Sequence, residues 1–446
     1  MITTMNFLFF SKYGISGNES ESLIDLGFDS LKLAEFAYDL KIWIKQAGFS
    51  DLSNEVDLRL LQKIGISELR ALLVDLKTLS PHALFRFKAA FNRIHKEYHA
   101  FEMELMKRDA SRNLAEEIQW NPTLSQGVGT DVFLTGATGF FGPFLLKSLL
   151  EQCTHKIQVL VRANDNEEAL YRLRKAFETV KPSAELLEEF DKRVEPVLGD
   201  LSKPRFGLQD DQWETLDANI HTIYHNGAIV NYLMDYESMR PANVDGTAEI
   251  LRLAMGKVHK TLNYISTTFI FGWSVKDTLY ESDRNQTMER LDFGYSQSKW
   301  VAEQLVFNAI EQGLNARVFR PALISPTIYG DGYNFDIAIR LLSFKVKHKI
   351  TTLAQNQVSF TPVDIGAHNI VAISNSDDSI GLTFHVTRDN FACMKDITNI
   401  LGQLTHSSFS EFSLKDFVPE VVNRCGKEDL LFPLLNFLVR LFMFQG

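Results

Sequence analysis

The stretch TGATGFFG, residues 135–142, decides how the rest of this sequence is interpreted. It follows a short apolar stretch, Asp131–Thr135, that is typical of a strand, and it leads into an apolar stretch that is typical of a helix. Between a strand and a helix, Gly136 permits a tight turn, Gly139 lets the backbone approach a pyrophosphate, and Gly142 lets the helix pack on the sheet. The helix N-terminus adds free N–H groups and a positive dipole. The stretch therefore predicts a dinucleotide-binding turn.

Strands and helices alternate from this turn onward. Further strands are predicted at Ile157–Val161, Val194–Leu198, Ile220–His225, Leu262–Ser266 and Ala316–Phe319, and helices at about 140–152, 167–180, 238–256 and 295–312. Alternation of this kind, with β-branched residues in the strands, is typical of a parallel doubly wound sheet. The predicted fold class is α/β, with a Rossmann-type sheet.

The first 125 residues carry a different pattern. Short helices are predicted within residues 1–78, one of them over Ser30–Ala47, and an amphipathic helical segment follows over 81–118. Pro and Gly residues between 120 and 130 mark a boundary. We predict a helical domain over 1–78, a helical linker over 79–125 and a nucleotide-binding domain over 126–446, divided into a Rossmann core over 131–320 and a mainly helical substrate-binding subdomain over 321–446.

Composition excludes several classes of protein. The 446 residues carry a formal net charge of −10, which argues against nucleic-acid binding because phosphates require a basic surface. Cys153, Cys393 and Cys425 form no CxxC motif and have no metal-ligand spacing, so neither a disulfide framework nor a metal site is expected. This use of cysteine, with no recognisable signal peptide, favours a reducing cytoplasm.

The most apolar stretch of the sequence is Leu430–Phe444, and Pro433, Asn436 and Arg440 interrupt it. It is shorter than the roughly 20 apolar residues that cross a bilayer, so no transmembrane segment is expected. A buried or lid helix is the favoured interpretation, and contact with a membrane surface or a partner is the alternative.

The second predicted strand, Ile157–Val161, ends at Arg162. An acid at that position would accept the ribose hydroxyls of NAD, whereas a basic residue accommodates a 2′-phosphate. The planar and permanently charged Arg162 therefore favours NADPH over NADH. Arg172, on the next helix, is expected to assist, although an ordinary charge on the helix face would look the same.

Two further strand ends face the same edge of the predicted sheet. Asp200 and Leu201 end the third strand, where the edge of an adenine would lie, and Asn226-Gly227-Ala228 ends the fourth. Small residues at the fourth strand would let the cofactor approach the backbone. Each signal is weak alone, because such residues also mark plain turns.

Tyr295 and Lys299 lie four positions apart at the start of a predicted helix. That spacing places both side chains on one face, where the ammonium lowers the pKa of the phenol and the phenol delivers a proton to a carbonyl oxygen that receives hydride. A hydroxyl from Ser266-Thr267-Thr268, at the end of the preceding strand, would stabilise the same oxygen.

These motifs occur in the order found in extended short-chain dehydrogenase/reductases, which the chain closely resembles over residues 131–330. The resemblance implies Thr267 as the catalytic hydroxyl, because in that family it lies four positions before the final aromatic residue, here Phe271. It also brings Asn243, in the motif NVDGT, into the cofactor site. The predicted catalytic residues are Thr267, Tyr295 and Lys299, and the predicted cofactor-binding residues are Gly136, Thr138, Gly139, Phe140, Phe141, Gly142, Arg162, Arg172, Asp200, Leu201, Asn226, Gly227, Ala228, Asn243, Tyr295 and Lys299.

Within that family, GATGFFGPFLL at 136–146, GDLSKPRFGL at 199–208 and HNGAIVNYL at 225–233 resemble thioester reductase domains. Such domains terminate nonribosomal peptide and polyketide synthetases and occur in carboxylic acid and aminoadipate reductases. The resemblance implies NADPH-dependent reductive release of a carrier-bound acyl or peptidyl thioester as an aldehyde, or onward as an alcohol.

The stretch LGFDSL, residues 26–31, resembles the phosphopantetheine attachment motif of acyl and peptidyl carrier proteins. It implies a carrier-like domain over 1–78, 4′-phosphopantetheine on Ser30, a phosphopantetheinyl transferase and an upstream adenylation or synthase enzyme that loads the acyl group. Asp-Ser before an apolar helix is also an ordinary cap. Few residues precede Ser30, so the first helix of a carrier fold would be short or missing.

Two other functions remain open from the sequence. Reduction of a fatty acyl-CoA, or another extended-family reaction on a free substrate, keeps the fold and changes the substrate. A redox-sensing NADP-binding scaffold is disfavoured, because such proteins usually lose the Tyr or the Lys, and both Tyr295 and Lys299 are present.

Overall fold

The computed structural model describes residues 10–15, 21–80, 82–121, 129–258, 260–272, 276, 278–286, 288–291, 293–332, 334, 336–355, 357–435 and 437–438, with the backbone alone at positions 30, 54 and 59. The helices are α1 Ser30–Gln46, α2 Leu58–Lys63, α3 Ile66–Lys77, α4 Ala83–Ala110, α5 Leu114–Glu117, α6 Gly142–Gln152, α7 Asn166–Glu178, α8 Ala184–Arg193, α9 Asp210–Asn219, α10 Tyr236–Arg240, α11 Gly246–Ala254, α12 Gly294–Glu311, α13 Ile337–His348, α14 Val363–Ser374, α15 Met394–Thr405 and α16 Leu414–Arg424. The strands are β1 Asp131–Thr135, β2 Ile157–Val161, β3 Val194–Leu198, β4 Ile220–His225, β5 Thr261–Ile265, β6 Ala316–Pro321, β7 Leu323–Ser325, β8 Ile350–Thr352, β9 Gln357–Pro362, β10 Thr383–Val386, β11 Phe391–Cys393 and β12 Ser410–Phe412.

The central sheet has seven strands in the order β10-β6-β5-β4-β1-β2-β3, and all of its pairings are parallel. From β6 to β3 this is the order of a Rossmann fold, so the predicted Rossmann-type sheet is confirmed. The first four strands have the predicted bounds, β5 begins and ends one residue earlier than predicted, and β6 continues to Pro321. The edge strand β10 was not predicted.

The sheet is covered on both faces, because successive side chains of a strand point to opposite sides. In β1, Val132 and Leu134 pack with helices α6, α7 and α14. Phe133, between them, packs on the other face with α11 and α12. The glycine turn therefore leaves a strand that is enclosed on both sides, and the end of that strand is held firmly in place.

Helix α4 connects the N-terminal helices to the sheet. It is 28 residues long, and it runs through most of the amphipathic segment predicted at 81–118. Phe87 and Phe91, near its start, pack with α1–α3. Met103 and Met106, near its end, pack with α11 and α12. The predicted segment is broken after Ala110, and Asn113 caps the short helix α5 that follows.

The region after β6 contains the helices α13 to α16 together with short strands that were not predicted. Strand β10 joins the central sheet, β7, β9 and β11 form a separate three-stranded sheet, and β8 pairs with β12. The described part of the C-terminal apolar stretch, up to Leu438, is largely buried against the N-terminal helices, as the favoured interpretation expects. Within the described ranges, no helix is both long and apolar enough to cross a membrane, and no cluster of His, Cys, Asp or Glu could hold a metal ion.

Candidate active site

A cavity of about 680 Å³ opens at the carboxyl ends of the parallel strands, where ligands of such sheets bind. Most of the predicted site residues line it: Gly136, Thr138, Gly139, Phe140, Phe141, Arg162, Arg172, Asp200, Leu201, Asn226, Gly227, Ala228, Thr267, Tyr295 and Lys299. Gly142 and Asn243, which were expected to bind the cofactor, are not among its lining residues.

The glycine turn leaves no room for side chains. Gly136 has a φ of +74°, and a Cβ there would lie 2.8 Å from the backbone of Gly227 at the end of β4. A Cβ at Gly142 would lie 2.1 Å from the carbonyl oxygen of Gly136. Gly142 therefore lets α6 pack on the turn, whereas Gly136 and Gly139 border the space that a pyrophosphate would occupy. These close approaches fit a dinucleotide at the N-terminus of α6.

Asn243 acts on the cavity through the backbone. Its side-chain oxygen accepts from the N–H of Ile229 at 2.7 Å, and its side-chain nitrogen donates to the carbonyl of Ile229 at 3.0 Å and to the Ser298 hydroxyl at 3.0 Å. Ile229 lines the cavity and Asn243 is buried. Asn243 is thus a positioning residue that joins the wall after β4 to helix α12.

A buried hydrogen-bond network around His225 supports the same wall, and no sequence motif marks this role of His225. The Thr247 hydroxyl donates to the Asn243 carbonyl at 2.6 Å and accepts from Nε2 of His225 at 3.0 Å. Thr135 accepts from the Gly227 N–H at 2.9 Å and donates to Nδ1 of His225 at 2.8 Å. Burial and the nearby Lys299 charge lower the pKa of His225 to about 3, so the ring is neutral, as this pattern of donors requires.

Tyr295, Lys299 and Thr267 are all buried beside the cavity. Nζ of Lys299 donates to the carbonyl of Ile265 at 2.7 Å and lies 4.3 Å from the ring centroid of Tyr264. Burial lowers the pKa of Lys299 to about 7, against the opposing charge of Glu303. The first two turns of helix α12 therefore place Tyr295 and Lys299 beside the end of β5, as the four-residue spacing predicts.

The pKa of Tyr295 differs from the sequence-based expectation. Burial raises it to about 12, and a hydrogen bond with the Thr267 side chain acts in the opposite direction. The sequence predicts a lowered pKa for Tyr295, whereas the structure gives a raised one, because loss of solvation dominates. A phenol with this pKa keeps its proton at neutral pH.

The hydroxyls of Ser266 and Thr267 have different hydrogen-bond partners. Ser266 donates to the buried carboxylate of Glu303, which also accepts from Arg320 at 2.7 Å. Thr267 accepts from the N–H of Phe269 at 3.2 Å, and this bond leaves its own hydroxyl hydrogen available to Tyr295 or to a ligand. The geometry therefore favours Thr267 over Ser266 as the hydroxyl that serves the cavity.

Charged side chains mark the other end of the cavity. Arg162 is exposed and directly follows β2. The side chain of Arg172, on α7, donates a hydrogen bond to the main-chain carbonyl of Arg162. Burial tends to raise the pKa of Asp200, but hydrogen bonds from Ser202 and the charge of Arg162 lower it overall. Arg162 thus faces the cavity between a neighbouring cation and a carboxylate.

Comparison with known proteins identifies the family. Residues 134–370 match the model of an NAD-binding family described as "Male sterility protein". The chain is 36% identical over 273 residues to a subunit of the linear gramicidin synthase from Brevibacillus parabrevis, a match that covers 59% of this chain and 5% of that protein. It spans under a third of the length of the first curated relatives that it matches.

Solved structures agree with this result. The terminal R domain from the myxalamid PKS-NRPS pathway is 34% identical, with a TM-score of 0.70, over 75% of this chain and 85% of that one. A thiolation-reductase di-domain from an archaeal non-ribosomal peptide synthetase has a TM-score of 0.64 over 98% of this chain and 87% of that one. At 19% identity, the second likeness shows the fold alone.

Fold and site together define an NAD(P)-dependent oxidoreductase of the extended short-chain dehydrogenase/reductase type. The chain belongs to the "Male sterility protein" family and contains a thioester reductase domain, which is similar to the terminal R domain from the myxalamid pathway. The sequence-based prediction of such a domain is confirmed.

The buried lysine makes stability depend on pH. The pKa of Lys299 is about 7 in the folded protein against an ordinary 10.5, so between these values the unfolded chain binds more protons and the free energy of unfolding rises with pH. We expect Lys299→Met to melt at a higher temperature than the native protein at pH 7, and this advantage to shrink toward pH 10.5. Thermal denaturation across that range measures it. The exposed Lys175→Met is the control, and an advantage independent of pH would contradict the prediction.

Proposed function

We propose that this chain uses NADPH to reduce a phosphopantetheine-tethered acyl or peptidyl thioester and releases it as an aldehyde. The observation that carries the proposal is that the buried Thr267, Tyr295 and Lys299 line the same cavity as the glycine turn and Arg162. When bound, the nicotinamide cofactor supplies the hydride.

The side chains supply the proton and stabilise charge. The raised pKa of Tyr295 keeps the phenol protonated, so it donates a hydrogen bond and then a proton to the carbonyl oxygen as hydride reaches the carbon. Thr267 donates to the same oxygen, and Lys299 stabilises the negative charge that develops on Tyr295. The thioester carbon gains two electrons and becomes a hemithioacetal. The hydroxyl proton of the hemithioacetal then returns to Tyr295 as the C–S bond breaks. The departing sulfur takes a proton from water, and the products are an aldehyde and a thiol.

The test uses the full chain, NADPH and a soluble thioester, octanoyl-pantetheine. We expect consumption of NADPH that depends on the thioester, with free pantetheine and octanal as products, measured by absorbance and by trapping of the aldehyde. Cofactor consumption without aldehyde or alcohol, or no consumption with either free or tethered thioesters, would overturn the proposal.

The proposal includes a carrier-like domain over 1–78 that bears 4′-phosphopantetheine on Ser30, joined to the reductase by a linker over 79–125. Helix α1 begins at Ser30, and the Asp29 side chain caps it by accepting from the Lys32 N–H at 2.8 Å. Phe28 is buried, whereas Leu31 is half exposed. An attachment site at the start of a helix with an exposed apolar neighbour suits a phosphopantetheinyl transferase and an upstream adenylation or synthase enzyme. The helix that would precede it is described only at Phe10 and Ser11.

Arg162 provides a test of the cofactor. We propose that its guanidinium binds the 2′-phosphate of NADPH, since hydrogen bonds to charged groups contribute about 1.5–3 kcal/mol. Arg162→Ala is therefore expected to raise the KM for NADPH by about 10- to 100-fold and to change the KM for NADH little. Steady-state kinetics with both cofactors measure this. Arg388→Ala, an exposed arginine outside the cavity, is the control, and an equal effect on NADPH and NADH would contradict the assignment.

A further inference from the structure

Four aromatic rings pack together at the end of the cavity nearest to Tyr295. Tyr232 lies 5.0 Å from Phe437 and 5.8 Å from Phe293, measured between ring centroids. Phe269 lies 5.7 Å from Phe293, and Phe293 lies 5.1 Å from Phe437. We call these four residues the aromatic wall. Spacings of this size are those of mutually stabilising aromatic pairs, so the wall is a packed unit.

The aromatic wall reaches the reacting groups. Tyr232 and Phe269 line the cavity together with Thr267 and Tyr295. Phe293 directly precedes α12, and its ring centroid lies 6.4 Å from that of Tyr295. A thioester whose carbonyl oxygen lies at Tyr295 would therefore place its acyl chain beside Tyr232 and Phe269, against which Phe437 and Phe293 pack.

One member of the wall comes from the far end of the chain. Phe437 belongs to the segment Leu431–Leu438, whose leucines are buried in the same core as α1–α4. Phe432, in the same segment, lies 5.2 Å from Tyr38 of α1, and Lys427 just before it pairs with Asp39 at 3.0 Å. The N-terminal helices therefore hold Phe437 against Tyr232 and Phe293.

The loop that carries Tyr232 is also held by the N-terminal helices. Gln62 of α2 donates to the carbonyl of Leu233 at 3.1 Å, one residue after Tyr232. Lys63 pairs with the buried Asp235 at 3.1 Å. The acyl end of the cavity is thus shaped by contacts among the N-terminal helices, the loop after β4 and the C-terminal segment.

The charges around the cavity disfavour an acidic acyl group. Among its described lining residues, the cations are Arg162 and Arg172 at the cofactor end and Lys299, which donates to a main-chain carbonyl. The carboxyl group of Asp336 lines the cavity near Tyr232, and burial raises the pKa of Asp336. A carboxylate on the acyl chain would lose its hydration without gaining a partner.

We infer that Phe437 is a positioning residue for substrate choice: it packs against Tyr232, which lines the cavity, and the aromatic wall it completes selects uncharged, apolar acyl groups. This inference rests on the proposed thioester reduction. It assigns to the C-terminal segment a role in substrate choice, and it makes that role depend on the packing of the segment against α1.

The test compares two thioesters of the same pantetheine, octanoyl and succinyl, with the full chain and NADPH. For the native protein we expect kcat/KM to favour octanoyl by about 100-fold or more, since a buried unpaired charge costs several kcal/mol. Phe437→Ala is expected to lower that preference by about ten-fold, because an apolar pocket discriminates through its packed surface. The ratio is taken from one preparation, so any loss of folded protein cancels.

Two further variants complete the experiment. Phe437→Leu keeps the segment apolar, and we expect its preference to fall between those of the native protein and Phe437→Ala. Phe391→Ala removes an exposed ring outside the cavity and should leave the preference unchanged. Active protein whose preference is the same in native, Phe437→Leu and Phe437→Ala forms, or a native preference for succinyl, overturns the inference and leaves thioester reduction standing. No turnover of either thioester by the native protein overturns the proposed function and the inference with it.

Discussion

Replacement of Tyr295 by Phe is expected to lower kcat for thioester reduction by about 10²–10⁴-fold, the usual contribution of a positioned general acid. The substitution removes one hydroxyl from a buried site and keeps the ring that packs 6.4 Å from Phe293. Because the pKa of Tyr295 is about 12, the hydroxyl is a proton donor throughout the neutral range, which is the role that reduction requires. Single-turnover oxidation of NADPH measures the loss.

Cofactor binding separates a chemical role for Tyr295 from a structural one. NADPH binding by Tyr295→Phe, followed by fluorescence titration, should stay close to that of the native protein. Tyr329→Phe is the matched control, because Tyr329 is 84% exposed and makes no part of the cavity wall. Native kcat in Tyr295→Phe would remove Tyr295 from the reaction, and equal losses of binding and kcat would assign it to positioning.

The strands that could be predicted from the sequence are those whose ends are marked by adjacent residues in the chain. The strands β1 and β3 each end directly before a glycine, Gly136 and Gly199, so these two ends follow from the sequence alone. Strand β10 has four residues at the edge of the sheet, and it exists because it pairs with β6. That pairing is a tertiary contact, which propensity cannot express.

One predicted helix shows how a local rule can be overridden. A continuous helix was predicted at about 238–256, but the structure has α10, a π-helical turn at Pro241–Asp245 and then α11. Pro241 lacks a backbone N–H and disrupts the regular helical ladder. The wider turn carries Asn243, whose side chain holds the backbone of Ile229. A departure from regular helix therefore supplies a contact of the site.

The site also combines features set by local spacing with features set by tertiary contacts. The glycine turn and the Tyr295–Lys299 pair have fixed spacings within one element, so they could be found from the sequence. Thr135 and His225 lie 90 positions apart, and their hydrogen bond appears only once β1 and β4 pair. Phe437 has no motif around it, and its place beside Tyr232 depends on the core that the C-terminal segment shares with α1.

Ser30→Ala is expected to abolish both attachment of 4′-phosphopantetheine and turnover of a tethered acyl group, while reduction of free octanoyl-pantetheine continues at the native rate. The hydroxyl of Ser30 is the proposed nucleophile for the transferase, and the cap of α1 is provided by Asp29, so removal of the hydroxyl leaves that cap in place. Intact-protein mass after treatment with a phosphopantetheinyl transferase and coenzyme A measures attachment, and NADPH oxidation with tethered and free thioesters measures turnover.

Ser50→Ala is the matched control for this substitution, because Ser50 is an exposed serine that begins a helical turn in the same N-terminal unit. It should keep both attachment and tethered turnover. A native chain that gains no mass but reduces octanoyl-coenzyme A would contradict the carrier assignment and support an acyl-CoA reductase. Loss of tethered turnover alone in Ser30→Ala would support an intact reductase cavity that receives the acyl group on an arm attached at the start of α1.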